Sequence, residues 1–495
     1  MTASSGDVTY GIDFGTTNTV ILDPDMYLPG GDVQPTVVVL DPQGGPSNLG
    51  QKQGFTEAGR EAWNDRADWI NGGYHFIRSI KTFLAGDQTW KCQGASNGPP
   101  EVWRPCDVAE VFLLHLKATV AADPQARPLN RAVFTLPNGT SPARRKLLRR
   151  AAAAAGIEVT GFVSESTAAL LASLETLQND EFVAVFDWGG GTLDISVLQL
   201  AGPRIIERSV SGYAKAGDEV DERLARYAFA RRSHDDQTAA VAWDQLDPRG
   251  REQWRVIIEQ TKRELSGGIA RLDLLEELHH APPVIVDVTL TADDLREVCK
   301  PLVQEAADAL IQAVNDAGIA RAELRHVLLV GGSSNLPGVE EAIVERFADT
   351  MVQWPPSNIP AERAVAAGAV RAGSNGARYE LAEHVDAILS GGGRLHLARP
   401  GDWSGIPKVQ TRLAVIEDSQ HAELPVVTRG DSPGAADRYA GSVCTQTLGF
   451  NRERLRLEAR TTPDMTVRVE LGSEDGIAKD RGVLELDTLR FAYVL

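Results

Sequence analysis

Two stretches of this chain decide its fold: Tyr10-Gly11-Ile12-Asp13-Phe14-Gly15-Thr16-Thr17-Asn18 and Val185-Phe186-Asp187-Trp188-Gly189-Gly190-Gly191-Thr192-Leu193-Asp194. Each is an apolar run of β type that delivers an aspartate and then turns tightly through glycine and threonine. A second strand-like run follows each turn, at 19–22 and at 195–198. The pattern predicts two related β-hairpins, one at the start of the chain and one near its middle.

The composition of the two turns indicates phosphate binding. Glycine lets the backbone approach a ligand closely, and successive turn N–H groups form a concavity that attracts anions. Asp13 and Asp187 lie where each can hold a magnesium ion through its water shell. A single turn of this kind is as easily a solvated β-hairpin, and neither turn is a Walker loop, since no Gly-Lys-Ser/Thr opens a helix after it. Because two matching turns could grip a polyphosphate from both sides, the sequence predicts an ATP site between two related halves.

Composition excludes several classes of protein. With 495 residues, the chain is long enough for about three domains at ~150 residues each. A net charge of −18 argues against nucleic acid or an anionic membrane as the main partner. The start of the chain does not resemble a secretory signal, and no apolar run approaches the ~20 residues that span a bilayer. Cys92, Cys106, Cys299 and Cys444 show no metal-ligand spacing, so we expect a cytoplasmic protein with reduced thiols.

The chain changes character near residue 376. Before it, strand patterns alternate with helix patterns, which is typical of a layered α/β architecture. The predicted helices cover 57–71, 108–121, 141–155, 166–175, 218–232, 253–265 and 292–317. After it come seven short alternating runs that predict a small β-sandwich or barrel, at 394–398, 409–416, 441–447, 454–460, 466–471, 483–486 and 489–494. We therefore expect an α/β region over 1–376, with lobes of about 7–178 and 179–376, then a linker over 377–393 and a β domain over 394–495.

The motifs together resemble a known family. The two hairpins and Val330-Gly331-Gly332-Ser333-Ser334 look like the nucleotide-binding signature of the two-lobed actin-like ATPase fold, which has duplicated ribonuclease-H-like halves. Within that fold the chain is most similar to the heat-shock protein 70 (DnaK-type) chaperones. Three further segments carry this resemblance: Phe76-Ile77-Arg78-Ser79-Ile80-Lys81, Glu165-Ser166-Thr167-Ala168-Ala169-Leu170, and the adenosine-contacting helix with Glu259, Lys262, Arg263, Leu265 and Ser266. The similarity extends from about residue 8 to residue 373 and does not reach clearly into the β region.

The resemblance implies a set of catalytic residues and the cofactors ATP or ADP with Mg²⁺. The implied catalytic residues are Asp13, Lys81, Glu165, Asp187 and Thr192. Lys81 by itself would be read as a surface lysine, and only its flanking residues assign it a role. Asp13, Asp187 and Asp194 would hold the metal, mainly through water. Phosphoryl transfer depends mostly on positioning and electrostatics, which these groups can supply.

The resemblance also implies the residues that contact the nucleotide. They are Gly15, Thr16, Thr17, Asn18, Gly189, Gly190, Gly191, Thr192, Gly217, Glu259, Lys262, Arg263, Ser266, Gly331, Gly332, Ser333, Asn335 and Glu362. The four from Glu259 to Ser266 fall at i, i+3, i+4 and i+7, on one helical face. An ordinary ion-paired surface helix would show the same spacing.

Several positions depart from the family pattern. Asn335 stands where the family usually has an arginine that sandwiches adenine with Arg263, so we expect reduced nucleotide affinity. Ser166 replaces a proline, and Gly139 replaces an aromatic residue near the interdomain relay. Two other relay members, Pro137 and Arg145, are present, which predicts that hydrolysis still drives a conformational signal. The family's leucine-rich linker has only a weak counterpart, at 385–389, and we expect the family's helical lid to be absent.

The sequence leaves three functions open. The first is an ATP-hydrolysing, chaperone-like switch whose lidless β domain binds a peptide, a protein client or a dedicated partner, with a co-chaperone or nucleotide-exchange factor as further partners. The second is an actin-like scaffold that uses ATP to control its assembly, against which the Lys81 segment and the adenosine helix argue. The third is a small-molecule kinase, for which no catalytic base beside an acceptor pocket can be identified.

Overall fold

The computed structural model describes residues 8–44, 53–94, 98–137, 140–174, 181–232, 241–374, 376, 378–403, 409–430, 435–474 and 481–495. The chain forms two compact units. The first consists of Met1–Asn138, Leu147–Gln199 and Arg208–Ser374, and the second of Gly139–Lys146, Leu200–Glu207 and Asn375–Leu495. Within the described ranges, no helix has both the length and the hydrophobicity needed to cross a membrane.

The first half of the first unit is built around a five-stranded sheet with the order β10-β9-β1-β2-β3. Its strands, and those of two smaller sheets, are β1 (Thr9–Phe14), β2 (Asn18–Leu22), β3 (Gln34–Pro35), β4 (Val37–Leu40), β5 (Phe55–Ala58), β6 (His75–Arg78), β7 (Trp90–Cys92), β8 (Glu101–Trp103), β9 (Arg131–Leu136) and β10 (Glu158–Ser164). Its helices are α1 (Gly59–Asn64), α2 (Arg66–Asn71), α3 (Ile80–Phe83), α4 (Pro105–Ala122), α5 (Pro142–Ala154) and α6 (Glu165–Ser173). A single helix predicted over 57–71 is thus divided, since Asp65 separates α1 from α2.

The second half repeats this strand arrangement in a second sheet, in which the order runs β17-β16-β11-β12-β13. Its strands and those of a separate hairpin are β11 (Phe182–Trp188), β12 (Leu193–Ala201), β13 (Arg204–Tyr213), β14 (Arg271–Leu278), β15 (Val284–Thr291), β16 (Leu324–Val330) and β17 (Met351–Gln353). Its helices are α7 (Gly217–Ala230), α8 (Pro248–Ser266), α9 (Ala292–Asp316), α10 (Val339–Arg346) and α11 (Ala364–Ser374). The hydroxyl of Thr291 accepts a hydrogen bond from the Asp294 N–H and so caps the start of α9.

The two sheets have equivalent centres. In each, an antiparallel hairpin (β1–β2 or β11–β12) is joined along its first strand by a parallel strand, β9 or β16. The apolar residues of both first strands are buried, so the chain reaches each turn from a rigid core. The strand order of a mixed α/β protein is therefore present twice, and Asp13 and Asp187 occupy corresponding positions near the ends of β1 and β11.

The second unit is mainly β. Its strands are β18 (Tyr379–Leu381), β19 (Glu383–Ile388), β20 (Arg394–Ala398), β21 (Val409–Ala414), β22 (His421–Gly430), β23 (Arg438–Gln446), β24 (Arg454–Thr461), β25 (Val467–Ser473), β26 (Gly482–Leu486) and β27 (Phe491–Val494). Two four-stranded sheets, β20-β19-β22-β23 and β21-β24-β25-β26, share an apolar core that includes Val385, Val426, Leu457 and Val469. Buried and more exposed residues alternate along these strands, so each sheet packs one face against the apolar core.

Three features of the second unit differ from the sequence prediction. The predicted linker over 377–393 contains β18 and β19, and β19 is an inner strand that pairs with both β20 and β22. The proposed counterpart of the leucine-rich linker, 385–389, is therefore wrong, because Val385, Asp386 and Ala387 are buried in this sheet. β22 was not predicted, and β27 pairs with β18 and with the first residues of β13 rather than with either four-stranded sheet.

Candidate functional site

The two hairpin turns lie against each other within the first unit. A Cβ placed on Gly190 would lie 2.9 Å from Thr17 Oγ1, and one on Gly191 would lie 3.7 Å from Thr16 Cγ2. Turns that are far apart in the sequence thus come within van der Waals distance, and larger residues at these glycines would push them apart. Within each turn, the Gly15 N–H donates to the Asp13 carbonyl at 3.1 Å and the Gly189 N–H donates to the Thr192 carbonyl at 3.0 Å.

A group of charged side chains surrounds this junction. Lys81, at the start of α3, and Glu165, at the start of α6, are buried and form an ion pair through Nζ and Oε1. Asp13 Oδ1 accepts a hydrogen bond from Thr135 Oγ1 at 2.7 Å, because parallel pairing places Thr135 opposite Asp13. Asp187 and Asp194 face each other across the β11–β12 hairpin. The structure therefore brings all the predicted catalytic carboxylates and the predicted lysine into electrostatic contact with one another.

Burial dominates the electrostatics of the group. It raises the pKa of Glu165 to about 7, although Lys81 opposes the rise. It also raises the pKa of Asp13, against the effects of Lys81 and Thr135. The pKa of Asp187 lies well above its usual range, because burial is reinforced by the carboxylates of Glu165, Asp13 and Asp194. Burial lowers the pKa of Lys81, but these carboxylates outweigh it, and the pKa is raised.

The charge balance at this position favours a cation. Four carboxyl groups surround a single ammonium group, and low dielectric makes such an excess of negative charge costly. Among the residues that the structure describes, no three histidine, cysteine or acidic side chains come close enough to coordinate one metal ion directly. A hard cation that keeps its water shell, such as Mg²⁺, fits this donor set, since it binds proteins through few direct carboxylates.

Residues around the second turn hold it in place. Ser333 Oγ donates to the Gly189 carbonyl at 2.7 Å, and the Gly217 N–H donates to the same carbonyl at 3.2 Å. The N–H of Asp218 donates to the Gly190 carbonyl at 2.7 Å. Thr192 Oγ1 donates to Asp194 Oδ2 at 2.9 Å. The first turn of α7 and the start of the segment after β16 therefore support the turn, and the Ser333 hydroxyl, predicted to contact nucleotide, is bonded within the protein.

The predicted adenosine face lies on α8, where its four residues have different environments. Lys262 is buried, with Nζ 2.7 Å from Asp221 Oδ1 and 3.2 Å from the Gly217 carbonyl oxygen. Arg263 is half exposed, and its NH2 group donates to Glu259 Oε1 at 2.8 Å. Ser266 is half-buried at the last position of α8. Lys262 thus fastens α8 to α7, whereas the guanidinium of Arg263 is accessible.

The loop after β16 carries the other predicted nucleotide residues. Gly331 has φ of +81° and its N–H donates to the Ala361 carbonyl at 3.4 Å, next to the exposed Glu362. Gly332 and Asn335 are exposed, and Asn335 Nδ2 donates to the Gly332 carbonyl at 3.2 Å. The side chain of Asn335 is short, and its amide group bonds the backbone of its own loop.

The predicted relay residues lie at the start of α5 and the end of β9. Arg145 is buried, and its NH1 group donates to the backbone carbonyl of Asp464, which is in the second unit, as Arg145 is. Pro137 follows directly after β9 and is half-buried. Gly139 lies outside the described residues. Ser166 is buried within α6, whose start is capped by the Ser164 hydroxyl.

Several residues that were not predicted from the sequence belong to the site in the structure. Thr135 bonds Asp13, Asp218 bonds the Gly190 carbonyl, and Arg66 forms an ion pair with Glu259 at 3.5 Å. Asp218 could have been recognised from its position beside Gly217 at the start of a helix. No signal in a single sequence connects Arg66 with α8, because the two lie nearly 190 residues apart.

The architecture is a mixed α/β unit whose glycine-rich turns meet beside four carboxylates, of which Glu165 is buried and the three aspartates are half-buried. It is compatible with nucleotide-binding proteins of the actin-like ATPase fold. A family model described as Hsp70 protein matches residues 80–377, which is more than half of the chain. The chain belongs to the heat-shock protein 70 family, which confirms the resemblance seen in the sequence. Members of this family are ATPases that bind nucleotide with Mg²⁺ and serve as chaperones, and this supports ATP binding of the chaperone type here.

Proposed function

We propose that this chain is a slowly ATP-hydrolysing switch of the heat-shock protein 70 type, coupling its nucleotide state to the binding of a peptide or partner protein by the C-terminal β region. One observation carries the proposal: the two glycine-rich turns meet beside the buried Lys81–Glu165 pair. In this proposal the two halves of the first unit are lobes that close on ATP. Family membership does not favour the alternative of an actin-like scaffold.

In the proposed phosphoryl transfer, the backbone of the two turns binds the phosphates and the charged side chains stabilise the transition state. Backbone N–H groups at 15–18 and 189–192 would bind the β- and γ-phosphates, and the ammonium of Lys81 would stabilise charge that develops as the terminal phosphate leaves. Asp13, Asp187 and Asp194 would hold Mg²⁺ through its waters, and the metal supplies charge neutralisation for the polyphosphate when it is bound. No strong general base lies among these groups in the described residues, so we expect hydrolysis to be slow.

The test is magnesium-dependent ATP hydrolysis by the purified chain. Slow release of phosphate that requires Mg²⁺ and is lost when Lys81 is replaced would support the proposal. The absence of both hydrolysis and nucleotide binding would contradict it.

The residues on the adenosine side predict a low ATP affinity, which a substitution at position 335 should raise. Of the two positions compared with the family's adenine sandwich, Arg263 can stack on the base, whereas Asn335 is too short and bonds its own loop. We expect Asn335→Arg to raise ATP affinity by about 2- to 30-fold, since a guanidinium stacked on a π-system contributes ~0.5–2 kcal/mol and ~1.4 kcal/mol is tenfold. Isothermal titration calorimetry with ATP would measure the change, and Asn335→Gln, which lengthens the side chain without adding charge, is the matched control. An unchanged or lower affinity of the arginine variant would refute this interpretation.

Coupling between hydrolysis and the β region is supported by α5. Residues 142–146 of this helix are assigned to the second unit, and residues 147–154 to the first. In the second unit, Arg145 bonds the Asp464 carbonyl, and Lys146 Nζ lies 2.6 and 2.5 Å from the two carboxylate oxygens of Glu485 on β26. In this proposal, a shift of α5 with nucleotide state would alter the contacts of Arg145 with the turn at Asp464 and of Lys146 with Glu485 on β26.

We therefore expect nucleotide to change the protease sensitivity of residues 374–393, the segment that was predicted as a connection and that contains β18 and β19 in the structure. ATP and ADP shift populations only between states that they bind differently, so different cleavage rates would report two conformations. Limited proteolysis of wild type and Arg145→Ala measures this, with Arg144→Ala, next to it in α5, as the control. The difference between ATP and ADP should be reduced in Arg145→Ala only. Equal cleavage in both nucleotide states of the wild type would mean that the β region is not coupled.

A further inference from the structure

The lysine predicted to contact adenosine already has partners within the protein. Lys262 is only 9% exposed, and its Nζ lies 2.7 Å from Asp221 Oδ1 on α7. It also donates to the Gly217 carbonyl at 3.2 Å. If the ammonium group turned toward a ligand, the mostly buried carboxylate of Asp221 would lose its partner, which is costly. Lys262 is therefore committed to α7 and does not serve to recognise a base.

The carboxylate predicted to contact adenosine is also paired. Glu259 Oε1 accepts a hydrogen bond from Arg263 NH2 at 2.8 Å, and Oε2 lies 3.5 Å from the NH2 of Arg66. Two guanidinium groups thus balance one carboxylate. Arg263 is half exposed, so the flat face of its guanidinium remains open to a stacked ring while its edge is held by Glu259.

The loop after β16 satisfies its own polar groups in the same way. The Gly332 carbonyl accepts a hydrogen bond from Asn335 Nδ2 at 3.2 Å. The Ser333 carbonyl accepts one from the Leu336 N–H at 3.1 Å. The hydroxyl of Ser333 donates to the Gly189 carbonyl at 2.7 Å. The side chains of this loop are therefore bonded to the protein backbone before any ligand arrives.

Two other residues of the predicted set lie closer to solvent and select poorly between bases. Ser266 is half-buried at the last position of α8, and Glu362 is exposed. A hydroxyl can donate or accept a hydrogen bond, so Ser266 suits either kind of partner. An exposed carboxylate exchanges one hydrogen bond to water for another and gains little.

Base selection requires polar groups that only one base can satisfy. Adenine carries an amino donor where guanine carries a carbonyl acceptor. A site built to hydrogen-bond one pattern rejects the other by about 10⁴-fold or more, because the wrong ligand leaves buried groups unpaired. Here the groups are paired within the protein, so neither base leaves them unpaired. Stacking on Arg263 adds affinity for both, since every base presents a π-face.

We propose that this nucleotide site is selective for the polyphosphate and not for adenine, so that the chain binds and hydrolyses GTP about as well as ATP. The inference rests on the proposed function, because the same two turns and Lys81 act on the phosphates of either nucleotide. Water attacks the terminal phosphorus while its bond to the bridging oxygen breaks, which gives GDP, phosphate and a proton, as ATP gives ADP.

The first experiment compares MgADP and MgGDP in isothermal titration calorimetry of the wild-type chain. The diphosphates avoid heat from hydrolysis, and their two purines stack over similar areas while they present opposite hydrogen-bonding edges. We expect the dissociation constants to differ by less than about fivefold, because stacking does not read a base edge. A larger preference for either base would overturn the inference. Failure of both nucleotides to bind would instead contradict the proposed function.

Hydrolysis gives a second readout of the same inference. At saturation, phosphate release from GTP should be within about fivefold of that from ATP, and Lys81→Ala should abolish both, since Lys81 acts on the terminal phosphate. The Lys81 variant also identifies release that comes from a contaminating enzyme. A GTP rate, measured as the part that requires Lys81, more than fivefold below that of ATP would overturn the inference.

A substitution in the loop tests whether the base edge is read. Asn335→Arg should raise the affinities for ADP and GDP by the same factor, because a second guanidinium adds stacking without adding selectivity. Asn335→Gln, which keeps the carboxamide, is the matched control and should leave the ratio of the two affinities at its wild-type value. A gain confined to ADP in the arginine variant would show that the site reads adenine, contrary to the inference.

Discussion

Replacing Lys81 with alanine is expected to abolish ATP hydrolysis while leaving most of the ATP affinity intact. The ammonium group lies among Asp13, Glu165 and Asp187, where charge develops during phosphoryl transfer in the proposed mechanism. A preorganised group of this kind typically contributes about 10²–10³-fold to the rate, and a charge that acts mainly on the transition state affects rate more than affinity. Phosphate release under saturating ATP, together with ATP titration of the same variant, measures both quantities.

The Lys81→Ala protein should remain folded. Removing one partner of a buried ion pair usually leaves an uncompensated charge, but Glu165 can take up a proton, since burial already raises its pKa to about 7. Lys91→Ala, which removes an exposed lysine from β7, is the matched control and should retain full activity. Wild-type protein with no hydrolysis above that of Lys81→Ala would contradict the enzymatic proposal.

Replacing Gly331 with alanine is expected to destabilise the nucleotide-free first unit and to weaken ADP binding at least tenfold. The residue has φ of +81°, and a Cβ there would lie 2.5 Å from the Trp188 carbonyl oxygen and 2.7 Å from Asp187 Oδ1. Left-handed backbone costs a non-glycine residue ~1–2 kcal/mol and overpacking costs ~1–3 kcal/mol, so a loss of about 2–5 kcal/mol is expected. The clash would also move Asp187, and with it the turn at 189–191.

The neighbouring glycine provides the control for this experiment. A Cβ on Gly332 would meet no atom within 4 Å, and its backbone is not left-handed. Thermal denaturation without nucleotide should therefore show a lower midpoint for Gly331→Ala by several degrees and little change for Gly332→Ala. Similar midpoints in the two variants would show that the close approach of Gly331 to Trp188 does not constrain the fold.

Local patterns in the sequence predicted much of the secondary structure of the first unit. Both glycine-rich hairpins form as predicted, because an apolar alternating run specifies a buried strand and glycine permits the turn that follows. The helices α4, α5 and α9 begin and end within three residues of the predicted positions, since proline and capping residues mark their ends. The family could also be recognised from short motifs, and the family model confirms it.

The β region was harder to predict. Short alternating runs indicate strands but do not specify which strands pair, because the partner is chosen by shape and burial across the whole sheet. Glu383–Ile388 therefore looked like a connection, although it is an inner strand. The final strand, Phe491–Val494, likewise gave no sign that it would lie between Tyr379–Leu381 and the beginning of β13.

By itself, the sequence determined the two Asp-Gly-Thr turns, the alternation of strands and helices, and the family, because these follow from residue types a few positions apart. Only the tertiary structure decided that Lys81 pairs with Glu165, that Lys262 fastens α8 to α7, and that Arg66 reaches Glu252 and Glu259. The reason is that each of these contacts joins side chains from different elements. Their distances depend on how whole helices and sheets pack, and burial then shifts the pKa values of the groups that meet.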